Sequence, residues 1–413
     1  MIKTYITACH LSRTEADALN RASGQIYTQI LVTHWRIYRK KGKWLAPFTA
    51  QKLNDWYRQA DPRLLHAFSV DGAQQAFYKA CKTTHALRKQ GLETKFPYKR
   101  KYYRTTIWYS NGIRAKDDHL LLSRARGQPP IRVPLATYLR GRWDIREVRL
   151  VYDRSSRRYF WHLVGEDGQQ PKLAPGPNVV AIDLGEVHPA AISNGQTTVV
   201  VTCRELRSQR QYTNKRLAEL HARQAKGTRG SRLWKRLQKR ISRFLYQQAK
   251  RTRDMEHKIS REVVKVACEQ QAGTMVIGDV RKVADKVKLG KKTNQKVSNW
   301  AHGKLRQYLT YKAAAEGIET KLVNEAYTSQ TCPKCGERHK PRGRWYTCRQ
   351  CGFSGHRDGV GAVNILSVYQ YGQPGKITPT GSTTYRLPFR RLRRSPLDTG
   401  HVACGQPQEA PTQ

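Results

Sequence analysis

Apolar residues over the first ninety positions recur at helical spacing. Ser12 and Glu15 form a capping box ahead of a stripe of Leu19, Ala22, Ile26, Ile30, Leu31 and Trp35, and a second stripe follows Asp71 with Ala73, Ala76, Phe77, Ala80 and Leu87. The pattern predicts a short strand within residues 1–11 and a helical lobe over 12–94. From Lys95 the period changes to two. TTIWYS, HLLLS, IRVPL, REVRLVYD and RRYFWHLV alternate and are separated by Gly, Pro and Asp turns, which predicts a small β-barrel or sheet over 95–173.

After the linker GEDGQQPKLAPGPN, the run VVAIDLGEVHPAAIS predicts a buried strand that delivers Asp183 at its end, with Gly185 leaving room for a phosphate to approach the backbone. Asn194-Gly195 is a type I′ hairpin signal leading into TTVVVT. Three antiparallel strands with an acid on the first are how an RNase H-like nuclease sheet starts; taken alone, the motif fits equally well an Asp that merely ends a strand. Residues 204–270 read as basic helices, and GTMVIGDV as a second buried strand ending at Gly278 and Asp279. The Lys-rich segment Val283 to Asn299 reads as a mobile loop, His302 to Glu316 as a helix, and ETKLVNE as a strand ending at Glu325. HRDGVGAVNIL places Asp358 at the head of a final helix, and residues 372–413 lack any period, which predicts a disordered basic tail.

Charge narrows the partners. The chain of 413 residues has 77 Lys and Arg against 30 Asp and Glu, a net +47, while 38% apolar content allows packed cores. Between Arg207 and Arg261 there are 18 basic residues against Glu219, Asp254 and Glu256. Nucleic acid is the expected partner, with Lys235, Arg236, Lys239, Arg240 and Arg243 as candidate backbone contacts. Lys99, Arg100, Lys101 and Arg104 join them because they interleave with Tyr98, Tyr102 and Tyr103, a mixture suited to phosphates and stacked bases. No apolar run reaches the length of about 18 residues that a membrane span needs, so no membrane partner is expected.

Cys332, Cys335, Cys348 and Cys351 form a C-x2-C, x12, C-x2-C pattern with Gly336 and Gly352 at the knuckle turns. Four soft thiolates around one tetrahedral centre fit zinc, in a closed structural site that fixes a loop. The remaining five of nine cysteines show no framework spacing, which points to a reducing cytoplasm.

These residues together resemble the TnpB family, transposon-encoded RNA-guided DNA nucleases related to the compact type V CRISPR effectors. The resemblance is carried by AIDLG, HKIS (His257 to Ser260), the NQK of Asn294 to Lys296, GKLRQYLTYKAAAEG, YTSQTCPKCG, and RDGVGAVNIL standing for D-x-N-A-A-x-N-I. It implies a mixed architecture of α/β, all-β and α lobes. A RuvC-like nuclease domain over 174–326 and 355–371 would be split by a zinc module at 327–354. A wedge β-barrel (1–11 and 95–173) would be interrupted by the helical recognition lobe 12–94.

It further implies a guide RNA derived from the transposon end, a double-stranded DNA target, a short adjacent motif read by the N-terminal half, and a prokaryotic cytoplasm; the chain's small size and single active site predict one protein per RNA. Two Mg2+ ions would be held by Asp183, Glu325 and Asp358 for phosphodiester hydrolysis.

One position departs from the family. Where the catalytic Glu usually ends the second buried strand, this chain has Gly278. Asp279 is adjacent but on the opposite strand face, Glu325 ends the neighbouring strand about 4.8 Å away, and the third option is no replacement. Glu325 is the favoured substitute. Without one, the chain would be a nuclease-dead RNA-guided repressor of the same ancestry. A guide-independent RNA-binding zinc-ribbon protein and a strand-transferring transposase are weaker alternatives.

Overall fold

The structure is a computed structural model that describes residues 2–54, 64–141, 144–280, 290–298, 300 and 302–388. The chain divides into two compact units, Met1–Pro171 and Lys172–Gln413.

In the first unit, β1 (Ile2–Ala8) precedes α1 (Arg13–Lys41), whose capping box forms as its sequence dictates. The Ser12 hydroxyl accepts the Glu15 N–H while the Glu15 carboxylate accepts the Ser12 N–H at 3.1 Å, and Gly42 ends the helix with φ 62°. After α2 (Pro47–Lys52) comes α3 (Ala67–Lys89), which packs on α1 through Tyr27, Ile30, Leu31, Phe77 and Cys81. The alternating segments then make two antiparallel sheets. β2 (Thr106–Tyr109), β6 (Asp144–Asp153) and β7 (Arg158–Glu166) join β1 in the order β1-β7-β6-β2. The shorter β3 (Ile113–Ala115), β4 (His119–Leu122) and β5 (Ile131–Pro134) form the other. Inward residues of both sheets and the first turns of α1 share one core around Leu19, Ile26, Trp108, Leu120, Leu150 and Trp161.

The second unit is built on a six-stranded mixed sheet ordered β12-β11-β8-β9-β10-β15, the last being Thr383–Arg386. β8 (Asn178–Asp183), β11 (Ala272–Gly278) and β12 (Glu319–Val323) are parallel neighbours, and β9 (Ala190–Ser193) and β10 (Thr198–Val201) continue it antiparallel. The basic stretch forms α4 (Arg204–Ala225) and α5 (Arg232–Glu269). α5 and α7 (His302–Ala315) cover one face through Ile259, Val263, Leu305 and Leu309. α8 (Arg357–Tyr371) covers the other through Ala362, Ile365 and Leu366. The HKIS stretch is where α5 and α7 lock. His257 stacks on Tyr308 at 4.1 Å, and the Lys312 ammonium donates to the His257 carbonyl and the Ser260 hydroxyl, both at 2.6 Å.

Three sequence expectations change. Asn194-Gly195 does not make a two-residue I′ turn: the connection is four residues, organised by the Asn194 side-chain Oδ1 accepting from the N–H groups of Gln196 (3.0 Å) and Thr197 (2.8 Å). In the Val283 to Asn299 stretch, residues 283–289 and 299 lie outside the described residues, but Lys291–Ser298 is a helix, α6. The segment expected to begin a disordered tail is structured over residues 372–388. β15 (Thr383–Arg386) extends the sheet parallel to β10, and Arg386 is ion-paired with Glu269 at 2.9 Å. Residues 389–413 lie outside the described residues. Among the described residues no helix is long and apolar enough to cross a membrane.

Candidate functional site: an acidic pocket joined to a four-cysteine knuckle

Strand alternation decides which acids meet. In β8, Val180 and Ile182 face α5 and α7 while Val179 and Ala181 face α8, so Asp183 falls on the α8 face. In β11, Met275 and Ile277 face α5 and α7, and Val276 faces α8. Gly278 therefore faces α8, while Asp279 points the other way, ion-paired with Arg306 of α7 at 3.6 Å. On β12, Val323 lies on the α8 side, paired with Gly278, and two residues on Glu325 returns to that side. The strand ends at Val323, so Glu325 sits just past it, in a turn closed by the Thr328 N–H donating to its carbonyl at 3.2 Å. Asp183 and Glu325 thus emerge at the carboxyl ends of parallel strands, where α/β sheets hold ligands.

Asp358, in the first turn of α8, completes the set. Asp183, Glu325 and Asp358 line one pocket of about 490 Å3 together with Gly185, Thr328, Ser329, Arg344 and Arg357; Asp279 does not line it. Two glycines make the room. A Cβ on Gly278 would stand 2.6 Å from Oε2 of Glu325, and a Cβ on Gly361 would overlap the Asp183 carboxylate, 3.0 Å from its Cγ. Burial, then the charges of Glu325 and Asp358, hold the Asp183 carboxyl well above its usual range against the opposing pull of Arg357 and Arg344. Burial, then Asp279, lifts Glu325 to about 7.

These features fit a divalent cation. Oε2 of Glu325 is buried without a hydrogen-bond partner among the described residues, and the donors are hard carboxylate oxygens. Sequence reading did not single out Arg344, which bonds Asp358 at 3.2 and 3.4 Å, or Arg357. Nor did it single out Gly361. Its signal was present: two glycines, Gly359 and Gly361, inside an otherwise regular helical pattern mark close approach by neighbouring atoms.

The knuckle adjoins this pocket. The four cysteines converge, with Sγ atoms of Cys332 and Cys351 at 3.5 Å and of Cys335 and Cys348 at 3.6 Å, and fit a tetrahedral zinc. Gly336 (φ 78°) and Gly352 (φ 70°) turn the two knuckles, each donating its N–H to the carbonyl of the first cysteine. The second pair lies on the hairpin β13 (Trp345–Thr347) and β14 (Ser354–His356), which runs directly into α8. Its core of Cys332, Tyr346 and Cys348 packs on Val360 of α8. The buried Asn364 ties the other side. Its amide donates to the carbonyls of Thr328 and Thr331, both at 2.7 Å, and its carbonyl accepts from Gly375 N at 2.9 Å. One helix therefore fixes Asp358 and the segment that carries Glu325.

The basic candidates divide. Lys235, Arg236, Lys239, Arg240 and Arg243 are exposed along α5. Lys99, Arg100 and Lys101 are exposed as well, whereas Arg104 is half-buried; the last two also make contacts within the fold. Lys101 exchanges backbone hydrogen bonds with the Thr28 hydroxyl and places its ammonium 4.3 Å from the Tyr27 ring, and Arg104 donates to the Ser23 hydroxyl at 3.1 Å.

Comparison with known proteins gives two family matches, "Probable transposase" over residues 162–284 and "Cas12f1-like, TNB domain" over residues 302–365. The chain is 25% identical over 236 residues to the CRISPR-associated endodeoxyribonuclease Cas12f1 of Sulfoacidibacillus thermotolerans, covering 55% of this chain and 54% of that protein. It is 27% identical over 157 residues to the TnpB-like protein MJ0751 of Methanocaldococcus jannaschii, covering 38% of this chain and 52% of that protein. The chain thus spans about half the length of these relatives. The fold is similar to a Cas12f1–sgRNA–target DNA complex solved by cryo-EM, with TM-score 0.57 at 16% identity over 86% of this chain and 83% of that one. The resemblance to TnpB-like proteins and compact Cas12 effectors drawn from the sequence is borne out, in sequence matches and in fold.

Proposed function

We propose that this TnpB-like chain is an RNA-guided DNA endonuclease that cleaves double-stranded DNA beside a short target-adjacent motif and is encoded by a transposable element. The second unit would be its RuvC-like nuclease domain interrupted by a zinc module, and the first unit its wedge and recognition lobe. The observation that carries this reading is the meeting of Asp183, Glu325 and Asp358 in one pocket, with Glu325 filling the space left by Gly278.

The three carboxylates would hold Mg2+, which when bound supplies activation of a water and stabilisation of the leaving oxygen. The chain's own residues do the positioning. Gly361 lets Asp183 lie against α8, Asn364 holds the turn behind Glu325, and Arg344 and Arg357 give the pocket rim the positive charge that a phosphodiester requires. The exposed basic face of α5 and the loop at Lys99 and Arg100 would follow phosphates of the guide RNA or its hybrid with the target, so that base pairing chooses the sequence. Zinc at the four thiolates would fix the hairpin ahead of Asp358.

The test is plasmid cleavage in Mg2+ by protein co-purified with its natural RNA, on a library with randomised flanking sequence, comparing wild type with Glu325→Ala and Asp279→Ala. Cleavage lost in Glu325→Ala and kept in Asp279→Ala is the expected outcome. Guide-dependent binding without cleavage by the wild type would replace this reading with the nuclease-dead repressor.

A further inference from the structure

Close to Asp358, and outside the lining of the acidic pocket, lies a group of residues that the nuclease reading does not use. His188 follows the tight turn after β8, in which a Cβ on Gly185 would overlap the His188 carbonyl. His356 immediately precedes α8. Both imidazoles are buried, at 7% and 5% exposure, and their rings lie 5.4 Å apart. The Nδ1 atom of each is buried with no hydrogen-bond partner among the described residues. The ring of Tyr385, delivered by β15, packs against both, at 6.4 Å from His188 and 5.8 Å from His356. One ring nitrogen from each histidine and one Asp358 oxygen lie within 4.8 Å of one another.

We propose that His188, His356 and Asp358 form a second metal site, separate from the four cysteines, that takes a transition ion such as Zn2+ rather than Mg2+. Buried polar atoms ordinarily find partners, and a metal ion accepts imidazole lone pairs; each of these two buried rings carries an unpartnered nitrogen and brings one nitrogen within 4.8 Å of an Asp358 oxygen. Two imidazoles and a carboxylate suit zinc and related ions, whereas Mg2+ prefers an all-oxygen shell. Arg344 bonds both Asp358 oxygens, at 3.2 and 3.4 Å, and the roughly four lone-pair sites of the carboxylate leave one for this ion and one for the acidic pocket. The ion would clasp the β8–β9 connection to the head of α8 and so set the carboxylate that the acidic pocket shares. The site stands without the nuclease reading, since its ligands are defined by packing and its test measures metal.

The test is calorimetric titration of Zn2+ into the full chain isolated with its thiolate zinc in place, with elemental analysis of the product, for wild type, His188→Asn and His356→Asn. The expected result is a second zinc in the wild type, retained against excess Mg2+, and weakened by about tenfold or more in each variant while the first zinc stays. Co2+ added to the wild type gives a readout that needs no variant: ligand-field bands without new thiolate charge transfer. A wild type that takes no second ion, a second ion displaced by Mg2+, or one bound equally by both variants would overturn the proposal.

Discussion

Glu325 occupies the space that a side chain at position 278 would need, its Oε2 2.6 Å and its own Cβ 3.2 Å from where a Cβ on Gly278 would stand. The missing acid and the added acid are therefore one spatial event, because a side chain at position 278 and that of Glu325 compete for the same space. Gly278→Ala forces Glu325 and Ile365 aside and is expected to cut cleavage, with an overpacking cost of about 1–3 kcal/mol. The decisive variant is the exchange. Gly278→Glu combined with Glu325→Ala returns a carboxylate from the other strand and should recover part of the cleavage that Glu325→Ala loses, measured on plasmid in Mg2+. An exchange variant that folds and binds RNA but stays as inactive as Glu325→Ala would show that the two positions are not equivalent.

The legible parts of the molecule are those set by period. NVVAID and GTMVIG alternate between two buried faces, and that alternation fixes the sides of Asp183, Gly278 and Asp279 before any coordinates. The four cysteines were legible because metal geometry constrains their spacing. Glu325 was found as an acid near a strand end, but its place two residues past Val323 depends on a turn held by Asn364 from forty residues away, which no local pattern carries. The strand at Thr383–Arg386 was missed for a related reason. It is a short edge strand in polar sequence, held by pairing with β10 and by the Arg386–Glu269 ion pair. His188 and His356 were passed over because a histidine has no periodic signature, and their meeting depends on the tertiary fold.

Protonation of the pocket gives a pH dependence with a definite sign. Glu325 is raised from 4.5 to about 7 in the folded chain, and Asp183 is raised too. The folded state thus binds more protons than the unfolded state between these values. This contribution to stability is full below the unfolded pKa and is lost as pH rises through about 7. Without added Mg2+, the unfolding temperature should fall as pH rises from 5 to 8 on the order of a few degrees. The increase in that temperature on adding Mg2+ should grow over the same interval, as the carboxylates become charged. Calorimetric scans with and without Mg2+ check both trends, and Glu325→Gln should flatten them.

Asn364 makes a prediction about coupling. Asn364→Ala leaves two carbonyls and one N–H without their partner in a buried site, a loss of about 2–4 kcal/mol. Asn364→Asp should be no milder, because a carboxylate cannot donate to Thr328 and Thr331. Urea denaturation measures the cost. Cleavage should fall further than stability explains, since the turn behind Glu325 is released, while zinc content stays unchanged.

Removing a knuckle thiolate tests the other support of α8. Cys348→Ser should lower bound zinc and free the β13–β14 hairpin, seen as faster amide exchange from Trp345 through the first turn of α8. The exchange of β8 and β11, buried in the sheet, should change little. Uniform acceleration across the sheet would instead make the knuckle a general stabiliser.

The basic face of α5 is where charge and fold can be separated. Lys235, Arg236, Lys239, Arg240 and Arg243 are exposed, so replacing all five with Gln should leave the unfolding temperature within a degree or so, as is usual for surface changes of about 0.5 kcal/mol or less. If each meets one phosphate, RNA affinity falls and its log–log dependence on salt becomes shallower by up to about four. Arg104→Ala provides the contrast. It removes the donor to the Ser23 hydroxyl at 3.1 Å and to the Thr105 carbonyl at 3.2 Å, and should cost about 1–2 kcal/mol of stability. Its effect on the salt slope should be one unit at most. Filter binding across a salt series distinguishes the two classes. An unchanged slope in the fivefold variant would assign the face to solvent and move the guide-binding surface elsewhere on the chain.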